Sequence, residues 1–236
     1  MKIRFLSLMS LAFLLFIFRM LCVSCVKSSD LILNEAYEDY KTYDYYVDEY
    51  GNEGIIAKIV YLNKEIKYII VISADESLQA WGPMDNVVYK KDSLSYFEVK
   101  SSLIGLAMCQ LMCRDGIEKY PAQNWCFSKN HGSQVYSGSW RLPSVEEHKL
   151  ILGNVKELNA ALYRIGGTLI DEDKHYWTCV EDWDNYVSSS ENKDGFDQAN
   201  RAIAMAPGDI IYVYKDQWLK MKQHYVRAIK YIYYKY

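Results

Sequence analysis

The sequence has no apolar run long enough to cross a bilayer comfortably. Its predominantly apolar stretch from Phe5 to Phe18 is cut off at Arg19, whereas a membrane helix needs roughly 20 apolar residues. It has no excess of basic charge: the net charge is -3, so no cationic surface announces a nucleic-acid partner. A glycine-rich phosphate loop, an internal repeat and a heptad run are also absent. Their absence removes phosphate-cradling loops, solenoids and coiled coils from consideration.

The short apolar stretch does have the length of a signal-peptide core, behind the basic Lys2 and Arg4. Leu21-Cys22-Val23-Ser24-Cys25 follows. Small residues just before a cysteine are what a lipoprotein signal peptidase requires, although Cys22 stands where a leucine is usual. Residues 1–25 are therefore expected to be a lipoprotein signal and Cys25 the lipidated residue. The expected location is the bacterial cell envelope, at the outer membrane or cell surface, with the membrane as partner through that anchor. Residues 26–50 are acidic and rich in tyrosine and are expected to be a tether with at most a short helix. Residues 51–236 then supply enough chain for one sizeable core.

That remainder has a definite pattern. Ile55 to Tyr61 and Ile66 to Ser73 are β-branched runs around Leu62-Asn63-Lys64-Glu65, which predicts a hairpin. Residues 98–114 carry apolar side chains at helical spacing, with Asp115-Gly116 as a stop. Ser144-Val145-Glu146-Glu147 reads as a capping box opening a helix that ends near Gly153. A further helix runs from Asn154 to Gly166-Gly167. Strands are expected over 176–180, 202–206, 210–214 and 225–234, with a long polar loop over 181–200. Loops of that length are usually functional or disordered.

The 22 tyrosines and 6 tryptophans suit binding surfaces and exposed sheets alike. Among the cysteines, Cys126 and Cys179 both fall near the predicted core and are the expected disulfide pair. Cys109 and Cys113 lie four apart on one helix face. They could bind metal or cross-link elsewhere, but packing as small apolar residues is favoured, since no histidine lies beside them to complete a zinc site.

Several motifs in order resemble a known family. They are Tyr120-Pro121-Ala122-Gln123-Asn124-Trp125-Cys126, then Trp140-Arg141-Leu142-Pro143-Ser144-Val145-Glu146-Glu147, Leu158-Asn159, Gly166-Gly167, Tyr176-Trp177-Thr178-Cys179-Val180-Glu181 and Val226-Arg227-Ala228-Ile229. Their order over residues 51–234 is similar to the Lcl C-terminal-domain-like family of bacterial lipoproteins, named after a collagen-like adhesin. The resemblance implies an α+β, C-type-lectin-like domain of short helices packed on small antiparallel sheets, preceded by the hairpin. The Arg-Leu-Pro-Ser helix start also resembles that of formylglycine-generating enzymes, which share the broader fold. Those enzymes use a cysteine pair late in the chain, and this sequence has no cysteine after Cys179.

Arg141, Glu147, Trp140 and Trp177 read as structural: a guanidinium before a helix needs a carboxylate partner, for which Glu147 and Glu181 are the candidates. The resemblance puts the recognition region in the long loop, at Glu181, Asp182, Trp183, Asp184 and Asn185. Its carboxylates and amide could take Ca²⁺ and its tryptophan could stack on a sugar, though the Glu-Pro-Asn and Trp-Asn-Asp triplets of calcium-dependent lectins are missing. No cofactor is otherwise expected. His131, His148, His175 and His224 show no triad spacing, and Asp171-Glu172 reads as a solvated turn rather than a glycosidase pair. The expectation is a non-enzymatic surface protein that binds a glycan or protein in adhesion. The alternatives are an accessory subunit of a surface assembly and a glycan-active enzyme.

Overall fold

The computed structural model describes residues 40–61, 66–83, 102–132, 135–136, 138–181, 201–207, 217–219 and 222–235. The chain separates into two units, 1–32 and 33–236, and every described residue belongs to the second. Cys25 and residues 26–39 therefore lie outside the described residues.

The β-branched runs form the expected hairpin of β2 (Glu53–Tyr61) and β3 (Ile66–Ser73), antiparallel with a bulge between Ile56 and Lys58. Ile69, Ile70, Val71 and Ile72 are all fully buried, so β3 is covered on both faces and reads as a continuous apolar run rather than an alternating one. The end of the segment expected to be a tether joins this sheet. β1 (Tyr45–Val47) pairs with the outer edge of β2, and Tyr46 is buried between exposed Tyr45 and Val47. Three residues are too few for alternation to stand out in a segment crowded with tyrosine. On the other edge of β3 lies β9 (Ile229–Lys235), giving the order β1-β2-β3-β9.

The second sheet has the order β4-β8-β5-β6-β7. Its strands are β4 (Ser77–Ala80), β5 (Tyr176–Glu181), β6 (Arg201–Met205), β7 (Gln217–Leu219) and β8 (Gln223–Val226). β5 and β8 pair in parallel and the other neighbours antiparallel. The single strand expected over 225–234 is two strands. β8 pairs with β4 and β9 with β3, and the chain changes sheets at Arg227-Ala228. The strand expected over 210–214 lies outside the described residues.

Four helices join these sheets among the described residues: α1 (Ser102–Gly116), α2 (Pro121–Phe127), α3 (Val145–Leu152) and α4 (Val155–Arg164). α1 and α3 contact β5, α2 contacts β4 and α4 contacts β2. The architecture is thus α+β. The α3 capping box is formed: Ser144 Oγ accepts from Glu147 N, and the Glu147 carboxylate accepts from Ser144 N at 2.6 Å. Gly105 lets α1 lie against this corner, since a Cβ there would meet Ser144 Cβ at 3.0 Å and Arg141 Nη1 at 3.1 Å.

Candidate functional site

Arg141 is held by its backbone before its side chain does anything. Its N–H and C=O exchange hydrogen bonds with Ile229, each 2.9 Å, which aims the guanidinium into the core. There it makes a two-pronged pair with Glu147: Nη1 to Oε2 at 2.8 Å and Nη2 to Oε1 at 2.5 Å. Nη1 also donates to Leu142 O at 3.0 Å, and the Tyr231 hydroxyl donates to Glu147 Oε1. Both partners are almost wholly buried. Burial alone would favour the neutral form of Arg141, but the facing Glu147 carboxylate outweighs it and holds the guanidinium more firmly charged than usual. The same burial, with Glu147 beside it, pushes the Tyr231 phenol well above its ordinary pKa. This cluster is closed on itself and ties the start of α3 to β9.

A second interior cluster was not visible in the sequence. Glu76 accepts from Arg227 Nη2 at 2.7 Å, from Lys174 Nζ at 2.7 Å and from Tyr176 Oη at 3.1 Å. Arg227 also donates to the carbonyls of Ser73 and Thr168, each at 2.8 Å. It therefore clamps the point where the chain changes sheets. Asp48, which lies in the segment expected to be a tether, is a third buried acid. Its carboxylate accepts from Trp140 Nε1 at 2.8 Å and from Asn52 Nδ2 at 2.9 Å. Burial would raise its pKa, but these bonds and the Lys230 charge prevail and hold it below the usual carboxylate value.

Each described tryptophan of the motifs is taken up by the core or its edge. Trp140 and Trp177 are fully buried, and Trp177 Nε1 donates to Gln79 O at 2.9 Å. Trp81, which follows β4, is also fully buried and donates to Thr178 O at 2.8 Å. Of the expected Cys126–Cys179 pair, both residues are buried, and Cys109, Cys113, Cys126 and Cys179 are unlinked in this structure.

Of the five candidate recognition residues, Glu181 is corrected in place. It is the last residue of β5, not a loop residue, and is 4% exposed. Every residue of β5 is buried, so its terminal residue follows. Asp182, Trp183, Asp184 and Asn185 lie outside the described residues. The frame that holds their segment is described: Glu181 is the cross-strand partner of Ala202. The residues that flank 182–200 in the chain, Glu181 and Arg201, thus lie at the ends of neighbouring antiparallel strands.

Two concavities are formed by described residues. An open polar groove of about 310 Å³ is bordered by Asn52, Glu53, Asp75, Lys129 and Thr168. Lys129 is already paired with Asp75 at 2.7 Å and lies over the Trp125 ring. An internal cavity of about 10 Å³ is lined by apolar residues with His148, Tyr176 and Arg227. Burial, helped by the Arg227 charge, lowers His148 to about 4. His175 and His224 sit with ring centroids 5.8 Å apart, while Asp171 and Glu172 are exposed in a turn. No protein-family model, no curated protein and no solved structure matches this chain.

Proposed function

We propose that this is an exported, lipid-anchored bacterial surface protein whose C-type-lectin-like domain binds a glycan or protein ligand through the excursion over residues 182–200. The observation that carries the reading is the pairing of Glu181 with Ala202. A long polar insertion whose two ends are fixed side by side on a rigid sheet is how folds commonly present recognition residues. Trp183 is the proposed apolar contact, and Asp182, Asp184 and Asn185 are the proposed polar ones, with Ca²⁺ as a candidate bridge. Glu181, being buried, supports the base of the segment instead of touching ligand.

The interior chemistry supports a binding role over a catalytic one. The strongest charge clusters, Arg141–Glu147–Tyr231 and Arg227–Glu76–Lys174, hold elements of the fold to one another. The open groove is bordered mainly by polar residues, unlike the apolar clefts that usually enclose small substrates.

The test is a glycan and matrix-protein array probed with the purified chain, with and without Ca²⁺. A positive spot that Trp183→Ala with Asp184→Ala reduces at least tenfold supports the reading. An unchanged signal in that double variant places the ligand elsewhere. Lipidation is tested separately by metabolic labelling with a fatty acid, which Cys25→Ala should abolish.

A further inference from the structure

The described residues that border the open groove come from four separate stretches of chain: 51–53, 74–75, 129 and 166–168. Hydrogen bonds stitch these walls together. Glu53 O accepts from Ala74 N at 2.9 Å, Ala74 O from Thr168 N at 2.8 Å, and Lys129 O from Asn52 Nδ2 at 2.9 Å. The concavity is therefore built before any ligand arrives, and its volume of about 310 Å³ reaches the range of small-molecule sites. Both oxygens of Asp75 accept from Lys129 Nζ, at 2.8 and 2.7 Å, yet the Asp75 side chain is 56% exposed. Tyr50, which precedes the bordering Gly51, is 48% exposed and stacks on His131 with ring centroids 4.5 Å apart.

These groups select a class of ligand. Lys129 is the one cation bordering the groove among the described residues, and Asp75 already neutralises it, while the exposed Glu53 carboxylate adds a negative charge. Anionic ligands are disfavoured there. A carboxylate has about four acceptor sites and an ammonium three donors, so the Asp75–Lys129 pair keeps acceptors open beside a donor. A hydroxyl both donates and accepts, and two neighbouring hydroxyls match such a pair. The held face of Tyr50 suits the apolar C–H face of a sugar ring. We propose that the groove binds a neutral saccharide, separately from residues 182–200. Neighbouring sugar hydroxyls meet Asp75 and Lys129, the exposed Thr168 offers its own hydroxyl to a third, and Tyr50 packs against the ring. The contact is weak, in the millimolar range, because a sugar in an open groove buries little area.

The full chain, in a detergent without sugar headgroups, is tested by saturation-transfer NMR against methyl glucoside, methyl mannoside, maltose and lactose, with glucuronate and glucosamine as charged comparators. The expected result is transfer to at least one neutral sugar and none to glucuronate. Asp75→Ala with Lys129→Ala should reduce it at least fivefold. Gly166→Asn should do the same with the melting temperature kept within a few degrees. Its φ of +71° accepts asparagine, and a Cβ there meets no atom within 4 Å, which leaves room for the new side chain at the groove. Trp183→Ala with Asp184→Ala should leave the transfer intact, so this site and the excursion can fail separately. No transfer to any neutral sugar, stronger transfer to either charged one, or a signal that the groove variants leave unchanged overturns the proposal. A signal lost in the Trp183 double variant but kept in both groove variants assigns the sugar to the excursion and overturns it as well.

Discussion

At the scale of single residues, the interior of this protein is organised by a few buried charges. Arg141 and Glu147 are the most committed of these. Removing one partner of a buried pair leaves the other charged and unpaired, which costs about 3–5 kcal/mol. Glu147→Ala is therefore expected to lower unfolding free energy by about that amount in denaturant titration. Lys149→Ala, which breaks only the exposed Lys149–Glu146 pair, should cost less than about 1 kcal/mol. The acids and histidine of the core also fix the pH response. The unfolded chain protonates His148 near pH 6.5, whereas burial holds the folded group near 4. As pH falls across that window only the unfolded state gains the proton, so stability drops by about 3 kcal/mol from this site. His148→Gln should remove that contribution when stability is measured at several pH values between 7 and 4, leaving the part due to His224, which burial also lowers to about 4. Asp48 acts lower on the scale. Its folded pKa is depressed, so its contribution is present above the unfolded value of about 4 and disappears as pH falls through the folded one.

At the scale of elements, close approach explains both what holds and what was legible beforehand. The hairpin of β2 and β3 could be read because its two β-branched runs flank a polar turn. The start of α3 could be read because Ser144 and Glu147 stand at capping-box spacing. α2 was not foreseen: seven residues are too short for helical periodicity to register, though Pro121 at its first position is a recognised start signal. The break between β8 and β9 left no mark in sequence, since neither Gly nor Pro occurs at Arg227-Ala228. What makes the break is the buried Arg227, whose three partners come from Ser73, Glu76 and Thr168, all distant in the chain. The buried acids Asp48 and Glu76 were invisible for the same reason. Gly105 offers an element-scale test. A β-branched side chain there would strike Ser144, Arg141 and Glu147, so Gly105→Val should separate α1 from α3. The expected cost is about 2–3 kcal/mol, read from the denaturation midpoint, with Gly166→Asn as a mild control, since its φ of +71° tolerates asparagine and no atom crowds that position.

At the scale of the whole molecule, strands from the two ends of the described chain close the domain. β9 lies against β3, and through Arg141 the start of α3 is bonded to β9 as well. Ending the chain before Ile229 would strip β3 of its neighbour and leave Glu147 without Tyr231. Such a truncation should yield unfolded protein by near-UV circular dichroism. The candidate recognition residues were legible only as a long polar stretch between strands, because their identity as a site depends on what the two strand ends bring together. The structure supplies that frame in the pairing of Glu181 with Ala202.

The most direct measurement of the central claim uses this frame. Residues 182–200 are replaced by a short Asn-Gly hairpin turn, which the antiparallel ends of β5 and β6 can accept. The melting temperature and the binding of the array-identified ligand are then compared with the intact chain. The account predicts an unchanged melting temperature within a few degrees and loss of binding. Retained binding by the shortened protein would contradict it.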